Sequence, residues 1–89
     1  MNDEQELYKQ AQLGIEAESF LSSDIGRFLV DKANDELQEG YEGFLKLKIG
    51  DMDGLLKLQS QCIRAINFKS WLLEAISSGQ YAEQELRNE

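Results

Sequence analysis

The sequence contains no histidine and no proline, and its 89 residues include only one cysteine and one tryptophan. Without histidine, the chain lacks the commonest general base and the commonest metal ligand of proteins. A single cysteine cannot form an intramolecular disulfide, and this usage favours a reducing compartment. The absence of proline removes the residue that most often interrupts helices. These absences argue against an enzyme or a metalloprotein and favour long helices.

Long apolar runs are also missing from the sequence. No run approaches the ~18 residues that a membrane-spanning helix requires. The acidic start, MNDEQE, differs from the basic start of a signal or transit peptide. We therefore expect a soluble, intracellular protein that makes no contact with membranes. Residues 1–89 should form a single domain, and a domain this small often needs a partner for its stability.

Negative charge is concentrated in the first half of the chain. Residues 1–45 contain 11 acidic and 3 basic residues, a net charge of −8, whereas residues 46–89 contain 6 of each and are neutral. This excess makes direct binding to nucleic-acid phosphates unfavourable. It suits either simple solubility or a basic protein partner.

Hydrophobic spacing predicts three helices, at about residues 4–21, 24–48 and 53–78. The second is the clearest, because its apolar side chains recur every three or four residues. They are Ile25, Leu29, Ala33, Leu37, Tyr41 and Phe44. The tripeptide SSD just before it offers three residues that can cap a helix. The polar tail at 79–89 either continues as helix or frays.

The predicted third helix carries two apolar rows. One row consists of Leu56, Cys62, Ile63, Ile66 and Leu73, and the other of Leu55, Leu58, Ala65, Leu72 and Ile76. Cys62 is interpreted as a buried core thiol, because no histidine is present to activate it as a nucleophile.

The segment KLKIGDMDG, residues 46–54, predicts the turn between the second and third helices. Gly50 suits the left-handed position after a helix end, and either Asp51 or Asp53 can cap the next helix. A calcium loop needs glycine at its sixth position, whereas this segment has it at the fourth. We therefore expect neither a metal site nor a cofactor.

These elements predict an all-α fold, an antiparallel helical hairpin of two long helices with an N-terminal third helix. Such a hairpin leaves much of each apolar side uncovered. Either the first helix packs across it, or two hairpins pair into a four-helix bundle. We expect oligomerisation to complete the fold.

Arg64, Phe68 and Trp71 form a row within the polar stripe of the third helix, on the side opposite the hairpin seam. Arginine and aromatic residues dominate the hot spots of protein interfaces. We therefore predict that this row is an interface. An exposed indole beside Phe68 promotes aggregation, so Trp71 should be covered. The first helix, another subunit or a foreign partner could each provide that cover.

Acidic residues of the second helix form a candidate acidic face, away from its apolar stripe. They are Asp31, Asp35, Glu36, Glu39 and Glu42. Di-iron sites on helices use Glu-x-x-His pairs, which a chain without histidine cannot supply. The face is therefore interpreted as solvated surface, and no catalytic residue is predicted.

Two segments, FLSSDIGRFLVDKANDELQE at 20–39 and LQSQCIRAINFKSWLLEAISSGQYAEQEL at 58–86, carry a resemblance. Together they resemble small acidic helical proteins encoded by tailed bacteriophages. The shared features are Phe20-Leu21, Asp24-Ile25-Gly26-Arg27, Leu58-Gln59, Ile63-Arg64-Ala65, Phe68, Trp71-Leu72 and Gly79. The resemblance implies a viral accessory protein, located in the host cytoplasm or the virion, that serves assembly or acts against host defences.

Three functional hypotheses follow. The first is a non-catalytic assembly or adaptor protein, a homo-oligomer that contacts host or virion proteins. The second is an inhibitor of a host defence or nucleic-acid-handling protein, which it blocks with its acidic N-terminal half. The third is a binder of a nucleotide-like small molecule, which Tyr8, Lys9 and Arg27 contact at a subunit junction.

Overall fold

The protein folds into three helices in a computed structural model that describes residues 2–88, with side chains from Asp3 onward. Helix α1 spans Asn2–Ser22, α2 spans Asp24–Leu45 and α3 spans Met52–Arg87. The prediction of an all-helical chain is confirmed.

Helix α2 ends at Leu45 rather than at the expected residue 48. Beyond this point the chain makes tight turns, and Gly50 takes a positive φ of 89° that suits its lack of a side chain. Asp51, one of the two predicted caps, begins α3 by accepting a hydrogen bond from the Gly54 amide at 2.9 Å.

Helix α3 continues well past the expected end at residue 78 and stops only at Arg87. Of the two alternatives for the polar tail, the described residues adopt helix. Gly79 does not end the helix, because it is buried against α1 and shielded from water. With 36 residues, α3 nearly equals the 58 Å length of the whole molecule.

A bend at Ser23 separates α1 from α2. The Ser23 hydroxyl donates to the Phe20 carbonyl oxygen at 2.6 Å and accepts from the Gly26 amide at 3.0 Å. One side chain therefore closes the end of α1 and caps the start of α2, so the SSD segment restarts a helix as predicted.

Helices α1 and α2 lie one after the other beside α3. Gly14 of α1 meets Gly79 near the C-terminal end of α3, whereas the Glu36 carbonyl of α2 accepts a hydrogen bond from Gln61. As residue numbers rise from Gly14 in α1 to Glu36 in α2, the numbers of the residues that they contact on α3 fall from Gly79 to Gln61. Both helices therefore run antiparallel to α3. The molecule measures 58 × 28 × 15 Å. A helix is about 10–12 Å across, so this is a single layer, two helices wide.

Helix α1 therefore does not pack across α2 and α3, which was one of the two arrangements expected from the sequence. It lies in the same layer, beside the C-terminal half of α3. The physical reason is the unexpected length of α3, which offers α1 its own stretch of helix to pack on.

Small residues form the seam between the helices. Among the described residues, the buried hydrophobic side chains are five alanines, and no large side chain is fully buried. The five are Ala11, Ala17, Ala33, Ala65 and Ala82. Each buried methyl contributes about 0.8 kcal/mol, against about 1.5–3 kcal/mol for a fully buried leucine. The seam alone therefore stabilises the folded chain weakly.

Only one of the two apolar rows predicted on α3 lies in this seam. The row through Leu58, Ala65 and Leu72 is buried or half-buried against the neighbouring helices. The other row remains at the surface, with Ile66 52% and Leu73 61% exposed. A single layer buries only one stripe of each helix, so the second row has no neighbour within the chain.

Candidate functional site

The flat layer has two broad sides with different chemistry. Residues two positions apart on a helix point about 200° apart, so Ile66 and Phe68 of α3 lie on opposite sides. The apolar face, on the Ile66 side, is defined here by Leu37, Tyr41, Phe44, Leu55, Cys62 and Ile66. The Trp71 face, on the Phe68 side, is defined by Leu29, Lys32, Glu36, Arg64, Phe68 and Trp71.

The apolar face contains an open groove of about 520 Å³ between α2 and α3. Tyr41 and Phe44 stand on one rim, 61% and 56% exposed. The groove includes Gly40, where an added Cβ would lie 2.5 Å from the Cys62 sulfur. Cys62, predicted as a buried core thiol, is instead half-buried and lines this groove. Its row faces outward because the seam uses the neighbouring row of α3.

The Trp71 face carries a groove of about 310 Å³ with charges of both signs. Lys32 and Glu36 of α2 and Arg64 of α3 line it, together with the half-buried ring of Phe68. The row predicted from Arg64 to Trp71 thus lies beside the seam rather than opposite to it. Its role as an interface stays a prediction.

Helix α1 does not cover Trp71. The indole shares a groove of about 310 Å³ with Gln10 and Leu13 of α1 but is 66% exposed. Of the three covers expected for this residue, the first helix does not provide one, and cover by another subunit or a foreign partner stays a prediction.

Four of the five predicted acidic-face residues are exposed on α2, namely Asp31, Asp35, Glu39 and Glu42. Glu36 differs, because it is half-buried and lines the groove of the Trp71 face with Lys32 and Arg64. Its position in the helix turns it towards α3, where Gln61 donates to its backbone carbonyl at 2.9 Å. The acidic face is therefore narrower than predicted.

The proposed small-molecule contacts are not all together in one chain. Tyr8 and Lys9 line a shallow groove of about 590 Å³ whose lining comes entirely from α1. Arg27 lies on α2 and does not belong to that groove.

The groove of the apolar face was not predicted from the sequence, although the apolar patterns of the two helices that line it, α2 and α3, were recognised. The signal was the surplus of apolar rows on α3, since one seam can bury only one of them.

Over residues 2–88, no group of three or more cysteine, aspartate or glutamate side chains is arranged to hold a metal ion. In the same part of the chain, no helix combines the length and the apolar character needed to cross a bilayer.

Comparisons with known proteins assign no family to this chain. No protein-family model, no curated protein and no solved structure matches it. Its function is therefore inferred from the two faces and the seam.

Proposed function

We propose that this chain is a phage-encoded, non-catalytic assembly or adaptor protein that acts through helix–helix contacts. One observation carries the proposal: among the described residues, sixteen large hydrophobic side chains are exposed, whereas only five alanines are buried as core. Single exposed apolar residues are common, but wide apolar surfaces mark sites of association. The resemblance to small phage proteins supports a place in virion assembly or in contact with host proteins.

In this proposal the chain is an antiparallel helical hairpin, with α1 and α2 forming one arm and α3 the other, and oligomerisation completes it. The weak alanine seam explains why completion is needed. A single layer has no interior in which leucine, isoleucine or aromatic side chains can be enclosed. A second layer supplies that interior, as in four-helix bundles.

Thermal unfolding is expected to depend on protein concentration. If two chains associate on folding, each tenfold dilution lowers the stability of the dimer by 1.4 kcal/mol, which lowers the melting temperature by about 3–6 °C for a dimer of this size. Far-ultraviolet circular dichroism at several concentrations measures this shift, and light scattering gives the mass in parallel. A melting temperature independent of concentration, with a mass of only 10.2 kDa, would refute association.

Inhibition of a basic host protein is a second candidate, favoured by the exposed acidic residues along α2. Asp31, Asp35, Glu39 and Glu42 are exposed, so a basic surface can reach them. Such contacts between exposed charges are screened by salt beyond about 10 Å at 0.1 M ionic strength.

Partner binding in this second candidate is expected to fall about tenfold between low and high salt. The double variant Asp35→Lys with Glu39→Lys should reduce binding at low salt for the same reason. A matched control reverses Glu74 and Glu85, which are exposed on α3, and should bind nearly as well as the parent chain. Binding to a basic protein recovered from host lysate is measured by calorimetry. Equal losses in the two double variants would show a general charge effect and remove the acidic face as the contact.

A further inference from the structure

We infer that a second copy of this chain docks on the apolar face. The inference rests on the proposed function and names both the surface and the partner. Three observations on the molecule favour this occupant: its excess surface, the distribution of its charges and the shape of the groove.

The accessible surface of the single chain is too large for a monomer of its mass. It amounts to 7008 Å² for 10.2 kDa. Folded monomers of this mass expose about 5,300 Å², so the excess is about 1,700 Å². Obligate homodimers bury about 2,000–5,000 Å² in total, or about 1,000–2,500 Å² per chain. Covering one broad side by a second copy removes an area of this size.

The charges decide which side a second copy can use. Each chain carries a net charge of −8, so two copies repel each other wherever their acidic residues approach. No charged residue lines the groove of the apolar face. The groove of the Trp71 face, by contrast, contains Lys32, Glu36 and Arg64. Interface cores are depleted of charge and enriched in aromatic residues, as the apolar face is.

The groove and its rim are complementary to each other. The open groove between α2 and α3 lies next to two exposed rings, Tyr41 and Phe44. In a two-fold symmetric dimer the same patch is used twice, so the rings of each copy can enter the groove of the other. Two layers, each 15 Å thick, then form a four-helix cross-section with an apolar interior.

The apolar face also continues along the molecule, beyond the groove. A smaller cavity of about 200 Å³ follows it between Leu21, Val30, Leu72 and Leu73, and Lys69, whose ammonium group donates to the Asn34 side chain at 2.7 Å, also lines it. A second copy of the chain is as long as this strip and can therefore cover all of it. The Trp71 face, with its mixed charges, stays free for a different protein.

Cysteine reporters on the two faces test the inference in the folded protein. Gln59 and Ser78 are both exposed and line the apolar face and a groove of the Trp71 face, respectively. Each is changed to cysteine in a Cys62→Ala background, and its reaction with Ellman's reagent is timed at increasing protein concentration. We expect the Gln59→Cys reporter to react about tenfold more slowly once the dimer forms, because interface cores exclude water. The Ser78→Cys reporter should keep its rate.

A charge placed on the apolar face provides a second test. Ile66→Glu introduces a buried carboxylate into the dimer and is expected to weaken dimerisation at least about a hundredfold in sedimentation equilibrium. Ile25→Glu is the matched control, because Ile25 is similarly exposed, at 57% against 52%, and lies one turn before Leu29 of the Trp71 face. The control should dimerise within about threefold of the parent chain.

Each other outcome overturns the inference. An oligomer in which Gln59→Cys stays reactive, or in which only Ser78→Cys is protected, places the interface elsewhere and leaves the assembly proposal standing. If the chain is monomeric at all concentrations, both the inference of a second copy and the assembly proposal are refuted. A face protected only after addition of a host protein identifies a foreign partner instead of a second copy. If Ile66→Glu does not fold, the reporters alone decide.

Discussion

Replacing Gly26 by alanine is expected to lower the free energy of unfolding by about 3 kcal/mol, because the backbone around it cannot move aside. A Cβ added at this position overlaps the Phe20 carbonyl oxygen. The same oxygen accepts hydrogen bonds from the amide and the hydroxyl of Ser23, at 3.1 and 2.6 Å. The methyl group therefore disrupts the bonds that end α1 and begin α2. Urea unfolding followed by circular dichroism measures the loss.

Gly43→Ala is the matched control on the same helix. Its added Cβ meets the Leu58 Cδ2 methyl at 2.8 Å, which is the far end of a flexible side chain that can rotate away. Alanine also gains about 1 kcal/mol of helix propensity over glycine. We therefore expect a change within about 1 kcal/mol. If the two alanine variants lost equal stability, the bend at Ser23 would have no special need for glycine.

Replacing Gly79 by leucine is expected to detach α1 from α3, at a cost of about 3 kcal/mol or more. A Cβ at Gly79 lies 2.7 Å from the Cα of Gly14 and 3.0 Å from the Gln10 carbonyl oxygen. Both contacts are with backbone, so no side-chain rotation relieves them. Leucine is a good helix former, so α3 itself is not weakened. Limited proteolysis should cut within α1 in this variant but not in the parent chain.

Ser77→Leu is the control for the helix and for added hydrophobicity, because Ser77 is exposed two residues earlier. It should unfold within about 0.5 kcal/mol of the parent chain. Gly14→Leu should have the same large effect as Gly79→Leu, since the two glycines face each other. Once one leucine has displaced α1, the second adds little, so the double variant should lose much less than the sum of the single losses. Additive losses would mean that the two positions do not meet.

The close approach of the helices and the apolar surface of the molecule have one cause. Where Gly14 meets Gly79, the backbones are too near for any larger side chain to fit between them. Among the described residues, sixteen large hydrophobic side chains are exposed, whereas others, such as Leu58 and Leu72, are half-buried beside the seam. The seam fixes the layer, and the displaced side chains provide the surface through which the chain associates.

Local chemistry made several features predictable. Ser23 and Asp51 cap helices because their oxygen atoms reach an amide three residues ahead, an interaction that depends only on nearby residues. Gly50 adopts the predicted positive φ, but it does so within the turn and not directly after α2, which already ends at Leu45. The all-helical character followed from apolar spacing and from the absence of proline.

Predictions that needed a neighbouring helix were less accurate. Periodicity showed two apolar rows on α3 but could not say which one meets α1 and α2. As a result Cys62 is predicted in the core, and the sequence leaves open whether α3 continues beyond residue 78. Gly79 could either end the helix or lie within it, and the structure decides for the second because Gly14 lies opposite to it.

The sequence by itself determined the helical class, the caps, the presence of a turn within 46–54 and the concentration of acidic charge in the first half, because these depend on residues near each other along the chain. The tertiary structure alone decided that α1 lies in one layer with α2 and α3, that Trp71 is uncovered and that Tyr41, Cys62 and Ile66 share a charge-free groove. The physical reason is that burial depends on which backbones can approach each other. That approach is set here by glycines and alanines, whose small side chains leave almost no hydrophobic signal in the sequence.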